Sequence, residues 1–191
     1  MIAFAAVVDG RGVPGGVFAV DAGQVRKLAG AGEETPLGGI FAKFSERLAV
    51  NDAGAVAFIA RLKDAPVSAA VFLAEGGRVR KLVALGETAP TGGRFSNLGA
   101  WPGLSSRGSV SFTASVDPGP PATAVFVTGD RGTKQLAAIG DALPGSETLI
   151  SFGLYPTATL GPGGHLTFAT AGAPAGEGRE AILLVEPSRR P

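Results

Sequence analysis

The feature that most constrains this chain is a pattern that returns at a fixed interval. Phe4 lies in Ile-Ala-Phe-Ala-Ala, and Phe58 holds the equivalent place in Val-Ala-Phe-Ile-Ala. Self-similarity at a fixed period is the mark of a repeat architecture. The same interval relates Phe18, Phe72 and Phe126; Leu28, Leu82 and Leu136; Gly32, Gly86 and Gly140; and Pro36, Pro90 and Pro144. The sequence therefore predicts a single repeat domain over 1–191, with copies at 1–54, 55–108 and 109–164 and a partial copy at 165–191.

Each copy supplies segments of strand length, rich in β-branched and aromatic residues and separated by Gly and Pro, which favours strands over helices. Ala69–Ala74 is apolar at every position, which is typical of a strand in a sheet that is covered on both faces. The expected fold is all-β, with antiparallel four-stranded sheets stacked on copies of themselves. The expected segments are 2–8, 55–62, 109–116 and 165–171; then 16–21, 70–75, 124–128 and 181–186; then 24–30, 78–84 and 133–138; and finally 46–50, 100–104 and 155–160.

Two short polar stretches, 51–54 and 105–108, join the fourth segment of one copy to the first segment of the next. Each begins with a polar residue and ends with Gly, the order that a tight hairpin turn requires. Asn51 and Asp52 are therefore interpreted as turn residues rather than as a polar site, since Ser-Ser and Gly-Pro replace them in the other copies.

The stretch 102–112 reads Pro-x-Leu-Ser-x-x-Gly-x-Val-x-Phe and resembles a blade of the TolB-like and WD-type β-propellers. The motifs Gly-Glu-x-x-Pro-x-Gly-Gly at 86–93 and Asn-Asp-x-Gly-x-Val-Ala-Phe at 51–58 are similar to repeats of uncharacterised bacterial proteins, many of them exported. The resemblance covers nearly the whole chain. It implies an array of about four blade units, and it implies export or the cell envelope as the location.

In that scheme the innermost strand of a blade precedes the Gly turn, so the chain holds two full blades and two three-stranded ones. Three arrangements fit this count: a four-bladed ring with incomplete terminal blades, an open arc cut from a longer protein, or a dimer that closes a larger ring. The open blade edges also make a homo-oligomer possible. The first residues lack a charged n-region, so no signal peptide is predicted and the compartment stays open.

The composition excludes several classes of function. A net charge of +1 without a basic stripe argues against a nucleic-acid partner. The absence of Cys excludes disulfides, thiolate catalysis and zinc–thiolate sites. No apolar run is long enough for a transmembrane helix. The single histidine, His165, begins a strand, where a surface role is expected rather than a place in a catalytic triad.

The best candidate for a site is a recurring carboxylate: Glu33, Glu87 and Asp141, each after a Gly and three residues before a Pro. In a propeller, equivalent loops gather on one face, where these groups could bind calcium or serve as an acid/base pair. The alternative is that each carboxylate accepts backbone N–H bonds and stiffens its own loop. Exact repetition favours that alternative, because an active site usually breaks the symmetry of a repeat. No catalytic, cofactor or metal residue is assigned.

Trp101 and Tyr155 hold equivalent positions in successive copies, each before a Pro, and Arg47 holds that position in the first copy. These aromatic residues could stack on a sugar, or they could fill the core or cover a central channel. The favoured function is a non-catalytic β-propeller binding or scaffold module for a protein or carbohydrate ligand. The alternatives are a glycan-active hydrolase or lyase that uses the carboxylates, and a structural piece of a larger envelope protein.

Overall fold

The fold is all-β, as expected. A computed structural model describes residues 1–7, 14–118, 123–143, 147–152, 159–160, 165–173 and 179–185. Eighteen strands and no helix occur in these ranges. The strands are β1 (Ile2–Val7), β2 (Pro14–Asp21), β3 (Gln24–Gly30), β4 (Ile40–Phe44), β5 (Ala49–Val50), β6 (Val56–Lys63), β7 (Ala69–Glu75), β8 (Arg78–Ala84), β9 (Arg94–Leu98), β10 (Gly103–Leu104), β11 (Val110–Asp117), β12 (Ala124–Gly129), β13 (Gly132–Ala138), β14 (Ala142–Leu143), β15 (Glu147–Ser151), β16 (Thr159–Leu160), β17 (Leu166–Ala173) and β18 (Arg179–Val185).

The described strands form four antiparallel sheets that follow one another along the chain. The first sheet is β1–β3, the second β4–β8, the third β9–β13 and the fourth β14–β18. Equivalent positions of successive copies take the same register: Phe4 faces Phe18 across the first sheet, and Phe58 faces Phe72 across the second. The two phenylalanine pairs are therefore separated by the same interval that relates the copies in the sequence.

The strand at one edge of the second sheet is interrupted, which the sequence reading did not anticipate. β4 pairs with the C-terminal half of β6, and the two-residue β5 pairs with its N-terminal end. The fourth strand was expected over 46–50, but only Ala49–Val50 of that segment is a strand. β9 with β10, and β15 with β16, repeat the arrangement in the third and fourth sheets. The strands β4, β9 and β15 were missed because each is short and, in β4 and β9, directly follows a Gly-Gly pair.

The second and third sheets have a phenylalanine face and an aliphatic face. In the second sheet the phenylalanine face carries Phe58 and Phe72, whose rings stack at 5.5 Å, and the aliphatic face carries Val71 and Leu73. Alternate residues of a strand point to opposite faces, so these two sets are set by the pleat. Every residue from Ala69 to Ala74 is buried, which confirms the prediction that this strand is covered on both sides.

In the second and third sheets, the phenylalanine face packs on the aliphatic face of the preceding sheet. Val17 and Ala29 of the first sheet lie in one cluster with Phe58 and Phe72 of the second. Val71 and Leu73 of the second sheet pack in the same way against the third, whose cluster members include Phe95, Phe112 and Phe126. The core is therefore a series of layers between sheets.

Candidate functional site

The three recurring carboxylates each begin the loop that crosses from one sheet to the next. The side chain of Glu33 accepts the backbone N–H of Gly30 at 2.7 Å, and that of Asp141 accepts the N–H of Ala138 at 2.7 Å. Glu87 accepts the N–H of Ala84 at 3.1 Å. A carboxylate that accepts a backbone N–H in this way fixes the first residues of the loop. This geometry matches the alternative in which each carboxylate stiffens its own loop.

A lysine completes the arrangement in the first two crossovers. Lys27 forms an ion pair with Glu33, and Lys81 forms one with Glu87. In the third crossover Gln135 stands at the lysine position, and its buried Oε1 has no hydrogen-bond partner among the described residues. The sequence reading missed this pairing, although Lys27 and Lys81 precede their glutamates by the same six residues.

The carboxylates lie in separate crossovers rather than around one point. Within the described ranges, no three residues of the His, Cys, Asp and Glu types are grouped so that they could hold a metal ion. All three carboxylates are at least partly exposed, with side-chain exposures of 42% for Glu33 and 39% for Glu87. A calcium site at these residues stays a prediction of the sequence.

Trp101 contacts Arg47, which holds the equivalent position one copy earlier. The guanidinium carbon of Arg47 lies 4.2 Å from the centroid of the indole ring, within the range of a cation–π contact. Trp101 is half-buried, and one face of its ring is occupied by Arg47. Tyr155 lies outside the described residues, so the proposed pair of aromatic residues is not seen together.

The two hairpin turns are confirmed as turns. The N–H of Gly54 donates to the carbonyl of Asn51 at 3.0 Å, and the N–H of Gly108 donates to that of Ser105 at 3.1 Å. Both glycines have positive φ, of 84° and 79°, which a residue with a side chain rarely adopts. Asn51 Nδ2 also donates at 2.9 Å to the carbonyl of Ser105, which holds the equivalent position one copy later. Asn51 thus joins equivalent turns of two neighbouring sheets.

Ser105 stabilises its own turn. It is 3% exposed, and its hydroxyl accepts the N–H of Ser109 at 3.0 Å. His165 is exposed immediately before β17.

Lys43 and Arg61 form a candidate site that the sequence reading missed. They are directly opposed across β4 and β6 and line a cleft between the second and third sheets. Their proximity depends on β4, which the sequence did not predict as a strand, so no signal in the sequence pointed to the pair.

The fold and these sites define an all-β protein of stacked antiparallel sheets, joined by crossovers that a carboxylate stabilises. A family of unknown function, DUF7453, matches residues 1–181, and the chain belongs to that family. No curated protein and no solved structure matches the chain. Within the described ranges, no helix is long and apolar enough to cross a membrane.

Proposed function

We propose that this protein is a non-catalytic, β-propeller-like module that serves as a binding or scaffold domain. The observation that carries the proposal is the contact between equivalent positions of successive copies in neighbouring sheets. Asn51 bonds to Ser105, and Arg47 covers Trp101. Contacts between equivalent positions at the inner edges are expected when similar sheets are arranged about a common axis. The resemblance to TolB-like and WD-type blades belongs to the same proposal.

The environment of the carboxylates supports a non-catalytic role. Glu33, Glu87 and Asp141 share one local geometry in which the side chain accepts a backbone N–H three residues earlier. A backbone contact that recurs at all three crossovers is expected of a group that stabilises the repeated loop. Because a catalytic acid and base need environments that differ from one another, such uniformity favours loop stabilisation over glycan hydrolysis.

A triple variant, E33Q/E87Q/D141N, tests this assignment. Its melting temperature should fall, because the three loops lose a charged acceptor and two lose an ion pair. A control variant, E34Q/E46Q/E75Q, removes the same number of negative charges from exposed side chains and should melt close to the wild type. Calorimetric titration of the wild type and the triple variant with calcium should give the same heat, because the carboxylates do not bind the ion. Calcium heat present in the wild type and the control, and lost in a folded triple variant, would show a ligand site instead.

A second role, self-association, is favoured by the outward faces of the first and fourth sheets. Phe4 of the first sheet is 37% exposed, whereas Phe58 at the same register is fully buried. In the fourth sheet Ile182 is 81% exposed, whereas Val125 at the same register in the third is fully buried. The first sheet thus presents an uncovered phenylalanine face and the fourth an uncovered aliphatic face.

These two uncovered faces are of the kinds that pack together inside the molecule. A second copy of the chain can therefore place its first sheet on the fourth sheet of its neighbour, in a head-to-tail contact. Light scattering over a wide concentration range should show association for the wild type and for S106K, which adds a charge in an exposed turn. I182K should stay monomeric. A wild-type chain that is monomeric at every concentration would contradict this role.

A further inference from the structure

A cleft of about 220 Å³ lies between the second and third sheets, at the end where the crossover leaves β8. Its polar groups come from Lys43, Ser45, Arg61 and Asn97. Its remaining walls are made mainly of small and apolar side chains, among them Ile59, Ala60, Ala69, Leu85 and Leu98. Apolar walls with a few convergent polar groups are the usual composition of a small-molecule site.

The two cations of the cleft stand directly opposite each other. Lys43 of β4 pairs in register with Arg61 of β6, so their side chains leave the sheet on the same side. Neither forms an ion pair with any residue in the described ranges, where the salt bridges are those of Lys27, Arg80 and Lys81. Like charges directly opposed on a sheet are destabilising. A bound anion between them would remove that repulsion.

This pair is absent from the third and fourth sheets. The same paired positions hold Asn97 and Ser115 in the third sheet, and Ser151 and Ala171 in the fourth. The cations are therefore not needed to fold a unit, unlike the crossover carboxylates. A local departure from an otherwise repeated pattern, placed at a cleft, is the feature expected of a binding site rather than of a framework.

We propose that this cleft binds a small organic acid, with its carboxylate between Lys43 and Arg61 and its apolar body against Ile59, Leu85 and Leu98. Arg and Lys both donate charge-assisted hydrogen bonds to carboxylates, and the Arg fork adds geometric specificity. A cavity of about 150 Å³ holds benzene, so this cleft suits a molecule slightly larger than benzene. The inference rests on the proposed binding role and names its ligand class, but it does not require a closed ring.

Benzoate is a suitable probe because it combines one carboxylate with an apolar ring of the right size. Amide NMR titration of the full chain should shift the signals of Ser45, Asn97 and Leu98 in a saturable way. Benzamide, which has the ring without the charge, should bind far more weakly. Inorganic phosphate, which has charge without an apolar body, should also bind more weakly. Phosphate binding as tightly as benzoate would overturn the proposed ligand class.

The double variant K43N/R61S gives the second sheet the residues that the third sheet carries at this register. It should weaken benzoate binding at least about tenfold, because both charged donors are lost. The control K63N/R107S removes two exposed cations outside the cleft and should bind as the wild type does. Equal binding by both variants, or no saturable shift in the wild type, would overturn the inference. The carboxylate triple variant would still report on the proposed module role in that case, so the two failures are distinguishable.

Discussion

The interior and outer sheets of this molecule carry the same residues at the same register and bury them differently. Phe58 of the second sheet and Phe112 of the third are fully buried, because the aliphatic face of a preceding sheet covers each. Phe4 of the first sheet has the same cross-strand partner type but remains 37% exposed. The comparison teaches that a strand of this kind supplies only half of a core. The other half comes from a neighbouring sheet.

The largest loss of stability is expected when a phenylalanine ring buried between two sheets is removed. Phe58→Ala should lower the free energy of unfolding by about 3–5 kcal/mol, because a fully buried ring is replaced by a cavity. Phe4→Ala should cost about 1 kcal/mol, since its ring is already partly in water. Urea unfolding of both variants measures the difference. Equal losses would show that the first sheet is covered in solution.

Leu73 and Leu184 hold equivalent positions in the second and fourth sheets, so they allow the same comparison for the aliphatic faces. Leu73 is fully buried between the second and third sheets, whereas Leu184 is 57% exposed on the fourth. Leu73→Ala should lower the free energy of unfolding by about 2–5 kcal/mol. Leu184→Ala should change it by less than about 0.5 kcal/mol. A large loss at Leu184, measured at a concentration where the chain is monomeric, would contradict the idea that its face is uncovered.

The next largest effect is expected at the hydrogen bond that joins the turns of two neighbouring sheets. Asn51→Ala removes the donor to the Ser105 carbonyl and the acceptor of the Ala55 N–H, and should cost about 1–3 kcal/mol. Asn51→Asp keeps the acceptor but loses the donor, so part of the stability should return. If Asp restored all of it, the bond between the sheets would contribute nothing. Thermal unfolding monitored by circular dichroism distinguishes these outcomes.

A small effect is expected at the crossovers, where the interior and outer sheets should not differ. Glu87→Gln and Glu33→Gln should each cost about 0.5–1 kcal/mol in thermal unfolding, because both ion pairs are partly exposed and their contacts are local. The loss should shrink at high salt. Asp141→Asn should respond less to salt, since Gln135 replaces the lysine there. A much larger cost at Glu87 alone would show that its crossover also depends on packing between sheets.

Most of the fold could be predicted from local patterns. The strands that begin each copy are long, apolar and bounded by Gly or polar turns, so the segment 55–62 matches β6 closely. The strands after each crossover could not be predicted in this way. β4 is short and follows two glycines. It forms a strand because it pairs with β6, which follows it in the chain only after a turn.

The candidate site residues likewise differ in whether the sequence could reveal them. The carboxylates were found from their repetition, and their hydrogen bonds to N–H groups three residues earlier are local enough to be expected from the sequence. Lys43 and Arg61 could not be found, because their opposition depends on a register shift between Phe41 and Lys43. A shift of one residue would send one of the two side chains to the other face.

The sequence by itself determined the repeat interval, the first strands, the turns and the loop carboxylates, because each depends on interactions among residues close in the chain. Only the tertiary structure decided which faces are covered, where the interrupted edge strand runs and which cations meet in a cleft. The physical reason is that burial and cross-strand register are properties of two or more segments together. A repeated sequence encodes equal strands, and their neighbours decide what each strand buries.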